Sequence, residues 1–402
     1  MKKLKRKKTG NPELIRKINI DLIINLIIEF QPISRSEIAK RSGLALPTVM
    51  RIVDILIANE ILVEVGPGDS TGGRKPTMIQ MNESHTYYIG VCIQRKLKVV
   101  LANAVGKIIS RHESVFNYQQ MSANAFEQIS SGIQSVINKA NVNINNNCFI
   151  GIGTPGSSFK HTIMVDNFPF AKWATFDINK WLQENPLPYP AICENIPKLG
   201  AMAELRFGSG QNISNFIYIY ADFGVGSGLV ANGEIYMGSS GVAGELGHMI
   251  IEHDGVECYC GNRGCVEMYS SSLAILSNVR KAMSNYNFTV NGISDANKVQ
   301  FPDALEELNQ GNARVEKIFC EAGYYLGIAM ANLINLFNPY MIIIGGELSD
   351  CACYVQAAKN QALKHIFLHK AEHVIITTSK LGRDDLLKGA VALAMNKRLS
   401  LL

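Results

Sequence analysis

The sequence predicts three units in tandem: a small helical unit closed by a basic hairpin, then two α/β halves facing each other across a cleft. Three observations carry this. The excess positive charge is confined to the first fifth of the chain, short β-rich runs alternate with helical periodicity from residue 87 onward, and the order of those elements repeats in the second half. A length of 402 residues suits two or three domains. The expected boundaries are 1–82, 83–200 and 201–402.

Composition narrows the class. At 47% hydrophobic residues the chain has ample core material, which excludes disorder over most of its length. The apolar stretch 22–28 is interrupted by Asn25 and stops at Glu29, far short of the roughly 20 residues a bilayer span needs. The lysine-rich start lacks the apolar core of a secretory signal, so a cytoplasmic location without membrane contact is expected. Residues 1–81 hold 14 Lys+Arg against 8 Asp+Glu, a surplus of six, while the remainder carries 25 against 26. A polyanion partner is therefore expected for the first segment alone.

In the first unit, Ser34 followed by Glu37 is a capping box that starts a helix, and Gly43 closes it. Val49, Ile52, Val53 and Leu56 then form an i, i+3, i+4, i+7 stripe for a second helix. Two short helices joined at a glycine make a helix-turn-helix. Its second helix turns Ala45, Leu46, Pro47, Thr48 and Arg51 outward, where base edges and phosphates of a double-stranded operator are met, with Arg35 contributing from the first helix. Strands at 61–65 and 78–81 flank a Gly-rich loop bearing Arg74 and Lys75, a basic wing, and the 2–8 run reads as a solvated tail or a DNA arm. A protein-interaction module would give no reason for basic charge on both sides of the helix pair. If about six phosphates are neutralised, log K falls against log salt with a slope of roughly −5.

The α/β halves follow in order. Strands are expected at 88–93, 98–102 and 107–114, a helix at 125–139 and a strand at 148–152 ending in the turn Thr154-Pro155-Gly156. The second half brings a strand at 216–221, a Gly-rich hairpin at 224–232, a long helix at 315–335 and a buried strand at 341–344 ending in Gly345-Gly346.

The strongest chemical signal lies between these. Nine cysteines do not make a disulfide framework, and Cys258, Cys260 and Cys265 crowd into eight residues. With His248 ten residues earlier they supply three thiolates and an imidazole, a complete tetrahedral zinc set. Four protein ligands leave no position for water, so the ion is expected to be structural; His253 is the alternative fourth ligand. Cys351 and Cys353 have no nearby histidine and read as packing. Glu245 and Glu267 flank the cluster, where a pinned loop would present both carboxylates to hydroxyl groups, and His248 has a second ring nitrogen to donate.

With the helix-turn-helix, the 244–248 segment Gly-Glu-Leu-Gly-His and the loop Cys-x-Cys-Gly-x-x-Gly-Cys-x-Glu in view, the chain resembles the ROK family of repressors and sugar kinases, over nearly its whole length. It looks most like the repressor branch. The resemblance implies a two-lobed, actin-like (ribonuclease H-like) α/β fold preceded by the winged helix-turn-helix, dimers or dimers of dimers, and sugar contacts at Asn195, Glu245, His248 and Glu267, with Pro155-Gly156 lining the cleft. Departures from the kinase pattern imply that the chain is not an enzyme. The Asp-x-Gly-x-Thr of such kinases is replaced by the 92–96 run Cys-Ile-Gln-Arg-Lys, the Gly-Thr-Gly loop reads Asp222-Phe-Gly, and Ile196 stands where the catalytic aspartate is expected. An alkyl side chain accepts no proton, and a general base contributes roughly 10²- to 10⁴-fold. The expectation is a regulator, repressing carbohydrate uptake or catabolism genes, with a sugar or sugar phosphate as effector; the alternatives are a sugar kinase fused to a DNA-binding unit and a regulator answering to a protein partner.

Overall fold

The computed structural model describes residues 12–68, 75–84, 86–116, 121–144, 147–159, 162–165, 176–367 and 374–399. The head comprises α1 (Pro12–Phe30), β1 (Ile33–Ser34), α2 (Arg35–Ser42), α3 (Leu46–Ala58), β2 (Leu62–Pro67) and β3 (Thr77–Met81). Ser34 Oγ accepts the Glu37 amide at 3.2 Å and starts α2. The Glu37 carboxylate turns to Arg41 at 2.7 Å, so one half of the expected capping box forms. Gly43 ends α2 at φ +68°, a backbone conformation that costs glycine nothing because it has no Cβ. Val49, Ile52, Val53 and Leu56 of α3 are buried against Ile38 and against four isoleucines of α1, Ile20, Ile23, Ile24 and Ile27. β2 and β3 pair antiparallel where the wing is expected, and β1 extends them into a sheet of order β1-β3-β2.

The body contains β4 (Tyr87–Ile93), β5 (Lys96–Ala102), β6 (Ile108–Val115), α4 (Met121–Ala140), β7 (Cys148–Thr154), β8 (Ser157–Phe159), β9 (Thr162–Val165), β10 (Phe176–Asp177), α5 (Ile178–Glu184), β11 (Ala191–Asn195) and α6 (Ile196–Phe207). It continues with β12 (Phe216–Ala221), β13 (Val225–Ala231), β14 (Glu234–Ile235), α7 (Glu267–Ser270), α8 (Ser272–Tyr286), α9 (Phe301–Asn309), α10 (Ala313–Phe337), β15 (Met341–Gly345), α11 (Ala352–Lys364), β16 (Ile375–Thr378) and α12 (Asp385–Leu399). The two large sheets run β11-β7-β4-β5-β6 and β14-β13-β12-β15-β16. In each, an antiparallel meander is followed by two parallel additions on its first strand's side, which is the duplication expected from the element order.

The halves exchange helices. α6 packs on β12 and β13 of the second sheet, whereas α12, at the far end of the chain, lies across β4 and β7 of the first. The approach is close enough that a Cβ on Gly151 would fall 1.9 Å from the Ala390 carbonyl oxygen. A division at residue 200 thus falls inside α6, and α12 belongs physically with the first sheet. The shared core built by this crossing includes Tyr88, Leu199, Tyr218, Ile343, Val391 and Met395. Among the described residues no helix is long and apolar enough to cross a membrane.

Candidate functional site

The cleft forms where strands of both sheets end. β7 delivers Pro155 and Gly156, β11 delivers Asn195 at the start of α6, and the start of β13, a short 3-10 turn at Leu246–His248 and the cysteine loop close it from the other side. Openings at strand C-termini are the usual ligand position in α/β sheets. The cavity holds about 460 Å³, within the range of small-molecule sites. Asn195, Glu245, His248 and Glu267, separated by up to 72 positions in sequence, all line it.

Each side chain is held differently. Asn195 caps α6, its Oδ1 accepting the Lys198 amide at 3.3 Å, which leaves its amide donors for other partners. Glu267 is buried, accepts the Val225 amide at 2.8 Å and receives the Tyr259 hydroxyl. Burial raises the Glu267 carboxyl above its ordinary range, against the pull of Tyr259 and His248. Burial likewise raises Glu245, opposed by His248 and Lys198, and Glu245 Oε1 is shut off from solvent with no hydrogen-bond partner among the described residues. An unsatisfied buried acceptor costs about 1–3 kcal/mol. Gly244, at φ +94°, sits where a Cβ would meet the Ser227 carbonyl oxygen at 2.3 Å; that tight turn aims Glu245 inward.

Lys198 lies beneath the cleft. It is wholly buried, its Nζ donating to the Gly241 carbonyl at 2.7 Å and lying 3.7 Å from Glu194, so it ties α6 to the loop that carries Val242 and Glu245. Sequence reasoning missed this lysine and also Tyr259, whose ring edge meets His248 at 5.5 Å. Tyr259 was accessible in principle, since it sits between two predicted metal ligands.

The donor atoms of His248, Cys258, Cys260 and Cys265 all lie within 4.8 Å of one another and are able to hold a metal ion. Cys258 Sγ lies 3.7 Å from His248 Nδ1, and Cys260 Sγ 3.7 Å from Cys265 Sγ. Ligands at about 2.3 Å in tetrahedral geometry are separated by roughly 3.7 Å, so the set fits a zinc-sized ion. Nδ1 faces the cysteines, leaving Nε2 for the cleft. His253, the alternative ligand, is 95% exposed beside Asp254 and takes no part.

A second cavity of about 540 Å³ shares Tyr220 and Phe223 with the cleft. Its walls mix charges, with Asp222, Glu347 and Asp385 beside Arg95, Lys98 and Arg111. Asp222 accepts the Tyr220 hydroxyl at 3.0 Å and the Phe223 amide at 2.7 Å, and burial raises its carboxyl. Burial and Asp222 together raise Glu347. Cys92 and Ile196 are buried.

On the head, Ala45, Leu46, Pro47 and Arg51 are exposed and Thr48 is half-buried, at the uncapped start of α3. Met50, 46% exposed on the same face, was missed. The Arg35 guanidinium is held at 2.9 Å by both Asp54 and Glu64, bracing α2 against α3 and β2. Lys75 is exposed at the hairpin; Arg74 and the 2–8 tail lie outside the described residues.

Comparison with known proteins places these features. The chain is 28% identical over 400 residues to a xylose repressor of Caldicellulosiruptor bescii, covering 97% of this chain and 98% of that one. It is 27% identical over 343 residues to the DNA-binding transcriptional dual regulator NagC of Escherichia coli K12, covering 85% and 83% respectively. A crystal structure of a ROK family transcriptional regulator, a homolog of the E. coli MLC protein, superposes with a TM-score of 0.78 at 23% identity over 96% of this chain and 98% of that one. A ROK family glucokinase from Streptomyces griseus, solved with glucose and AMPPNP, matches 77% of this chain with 99% of its own length, at a TM-score of 0.65 and 26% identity. The ROK family model itself matches residues 88–397, so the chain belongs to the ROK family.

Proposed function

We propose that the protein is a sugar-responsive repressor of carbohydrate genes in which the cleft senses an unphosphorylated sugar and the head binds operator DNA as one half of a dimer. The observation that carries this is the buried, partnerless Glu245 Oε1, set beside Asn195, His248 and Glu267 in a cleft whose described lining includes no lysine or arginine. Such a wall accepts hydroxyl protons and repels a phosphate. Relatives named as xylose repressor and transcriptional regulator support the same reading.

The metal in this reading is zinc, held by His248, Cys258, Cys260 and Cys265; bound there, it supplies structure by pinning the loop that carries Tyr259 and leads into Glu267. Dimerisation follows from the head. One recognition helix reads few bases, and two half-sites one helical turn apart roughly add their free energies.

Glu245→Gln tests the cleft. Calorimetric titration with xylose, glucose and N-acetylglucosamine is expected to find one ligand whose affinity falls at least about tenfold in the variant, as a charge-assisted hydrogen bond is worth roughly 1.5–3 kcal/mol. The pH dependence has a definite sign. Hydroxyl donation favours the ionised carboxylate, whose pKa is raised in the free protein, so wild-type affinity rises with pH until Glu245 is ionised. The variant should show a flatter profile. Unchanged affinity would remove Glu245 from the site. Incubation with ATP and a hexose panel is expected to give no turnover; phosphorylation at ordinary kinase rates contradicts the reading of Asp222 and Ile196.

A further inference from the structure

Tyr259 borders two cavities. Besides the cleft it lines a further space of about 540 Å³ enclosed by the cysteine loop, α7, α8 and α10. Tyr269 of α7 and Tyr325 of α10, with ring centroids 4.7 Å apart at 38°, give this space an aromatic wall, and buried Ala322 adds to it. Its charged members, Glu257, Lys281 and Glu321, are exposed. An interior of this kind suits an apolar ring, whereas the cleft, with Asn195, Glu245, His248 and Glu267, suits hydroxyl groups.

The two spaces have two lining residues in common, Tyr259 and Glu267, and these are hydrogen-bonded to each other. Glu267 is fixed by burial and by the Val225 amide at 2.8 Å. Tyr259 is fixed at three points. Its phenol donates to Glu267, its ring edge meets His248 at 5.5 Å and 84°, and its backbone is flanked by two turn bonds, Cys258 to the Asn262 carbonyl at 2.8 Å and Gly261 to the Cys258 carbonyl at 2.9 Å. Edge-to-face pairs of this kind are attractive, and turning the ring away would also leave a buried carboxylate short of a donor. The ring therefore stands as a wall, and a sugar carrying an extra group on the edge that faces Glu267 and His248 collides with it.

We propose that Tyr259 is the specificity-determining wall of the cleft: it closes the cleft against the aromatic space, so that the ligand is a free sugar without an aryl or glycosyl extension on the edge nearest Glu267 and His248. The inference rests on the reading of the cleft as a sugar site and adds the size of sugar that the cleft accepts. Shortening the side chain joins the two spaces, and the region lined by Tyr269 and Tyr325 then takes the aryl group of a glycoside whose sugar ring stays in the cleft. Discrimination against the larger ligand thus comes from one side chain, and the room for that ligand already exists behind it.

The test is calorimetric titration of the full-length protein with xylose, glucose and N-acetylglucosamine and with the phenyl α- and β-glycosides of each. Wild type is expected to bind one free sugar at least about tenfold more tightly than at least one of its phenyl glycosides. In Tyr259→Ala that glycoside should gain at least about tenfold relative to the free sugar. Tyr259→Leu, which keeps an apolar group against His248, should shift the ratio in the same direction and carries the test if Tyr259→Ala folds poorly. Tyr259→Phe gives up the bond to Glu267 but keeps the ring, so it should lower affinity for all ligands and leave the ratio as in wild type. Adding Ser277→Trp, an exposed position lining the aromatic space, to Tyr259→Ala should fill that space and cancel the gain. Equal binding of sugar and glycosides in wild type, a ratio unchanged in both Tyr259→Ala and Tyr259→Leu, or a gain that survives Ser277→Trp overturns the wall and leaves the sugar reading standing. Binding of no sugar and no glycoside to wild type overturns both.

Discussion

Cys258→Ser is expected to release the metal, reducing it from one ion per chain to a small fraction of one, and to lower the melting temperature and the affinity of the cleft for sugar together. Structural zinc contributes on the order of 10 kcal/mol in small zinc-dependent domains, more than any one packed side chain. Here the ion would tie Cys258, Cys260 and Cys265 to His248, adding to the backbone bonds that close the loop, Cys258 to the Asn262 carbonyl, Gly261 to the Cys258 carbonyl and Gly264 to the Val256 carbonyl. The same loop carries Tyr259, which donates to Glu267, so losing the ion should disorder one wall of the cleft. Metal analysis and differential scanning calorimetry of the variant check both parts. Full zinc occupancy in Cys258→Ser would reject the ligand set. Chelation of the wild type should reproduce the variant's loss of sugar binding.

Arg51→Ala carries the second large effect. The side chain is exposed on the outward face of α3, and removing a base contact costs about 1–3 kcal/mol in each half of a dimer. Operator affinity is therefore expected to fall by roughly 30-fold or more while the melting temperature stays put. The measurement is fluorescence anisotropy on a duplex selected by the protein from a randomised pool. A contact to guanine relaxes preference at one position, whereas a phosphate contact weakens all sequences alike and reduces the salt slope by about 1. Arg35→Ala gives the contrast. Its guanidinium joins Asp54 and Glu64, so that substitution should lower stability of the head instead. Unchanged binding in Arg51→Ala would remove α3 from the groove.

Much of this was legible in the sequence because local chemistry and periodicity agreed. The stripe Val49, Ile52, Val53 and Leu56 reads as the inner face of a helix, and the crowding of Cys258, Cys260 and Cys265 left only the histidine open between His248 and His253. The repeated order of strands foretold two sheets of equal plan. What stayed hidden depends on contacts distant in sequence. That α12 lies on β4 and β7 follows from the approach of Ala390 to Gly151, 239 positions apart, which no local pattern encodes. Arg35 looked like a free basic residue because Glu64 is 29 positions away. Lys198 resembled an ordinary helical lysine until its burial beneath Gly241 was seen. Glu245 was found by resemblance, but its unsatisfied oxygen is a property of the packed cleft alone.

A neutral sugar in the cleft is expected to alter the grip of the head on DNA. The direct measurement is operator affinity of the full-length protein with and without a saturating neutral sugar, in wild type and Glu245→Gln side by side. The prediction is a fall of about 5- to 150-fold in wild type, the span of a 1–3 kcal/mol coupling, and, at sugar just sufficient to saturate the wild type, a much smaller fall in the variant. Equal operator affinity with and without bound sugar in the wild type, or an undiminished response in Glu245→Gln, contradicts it.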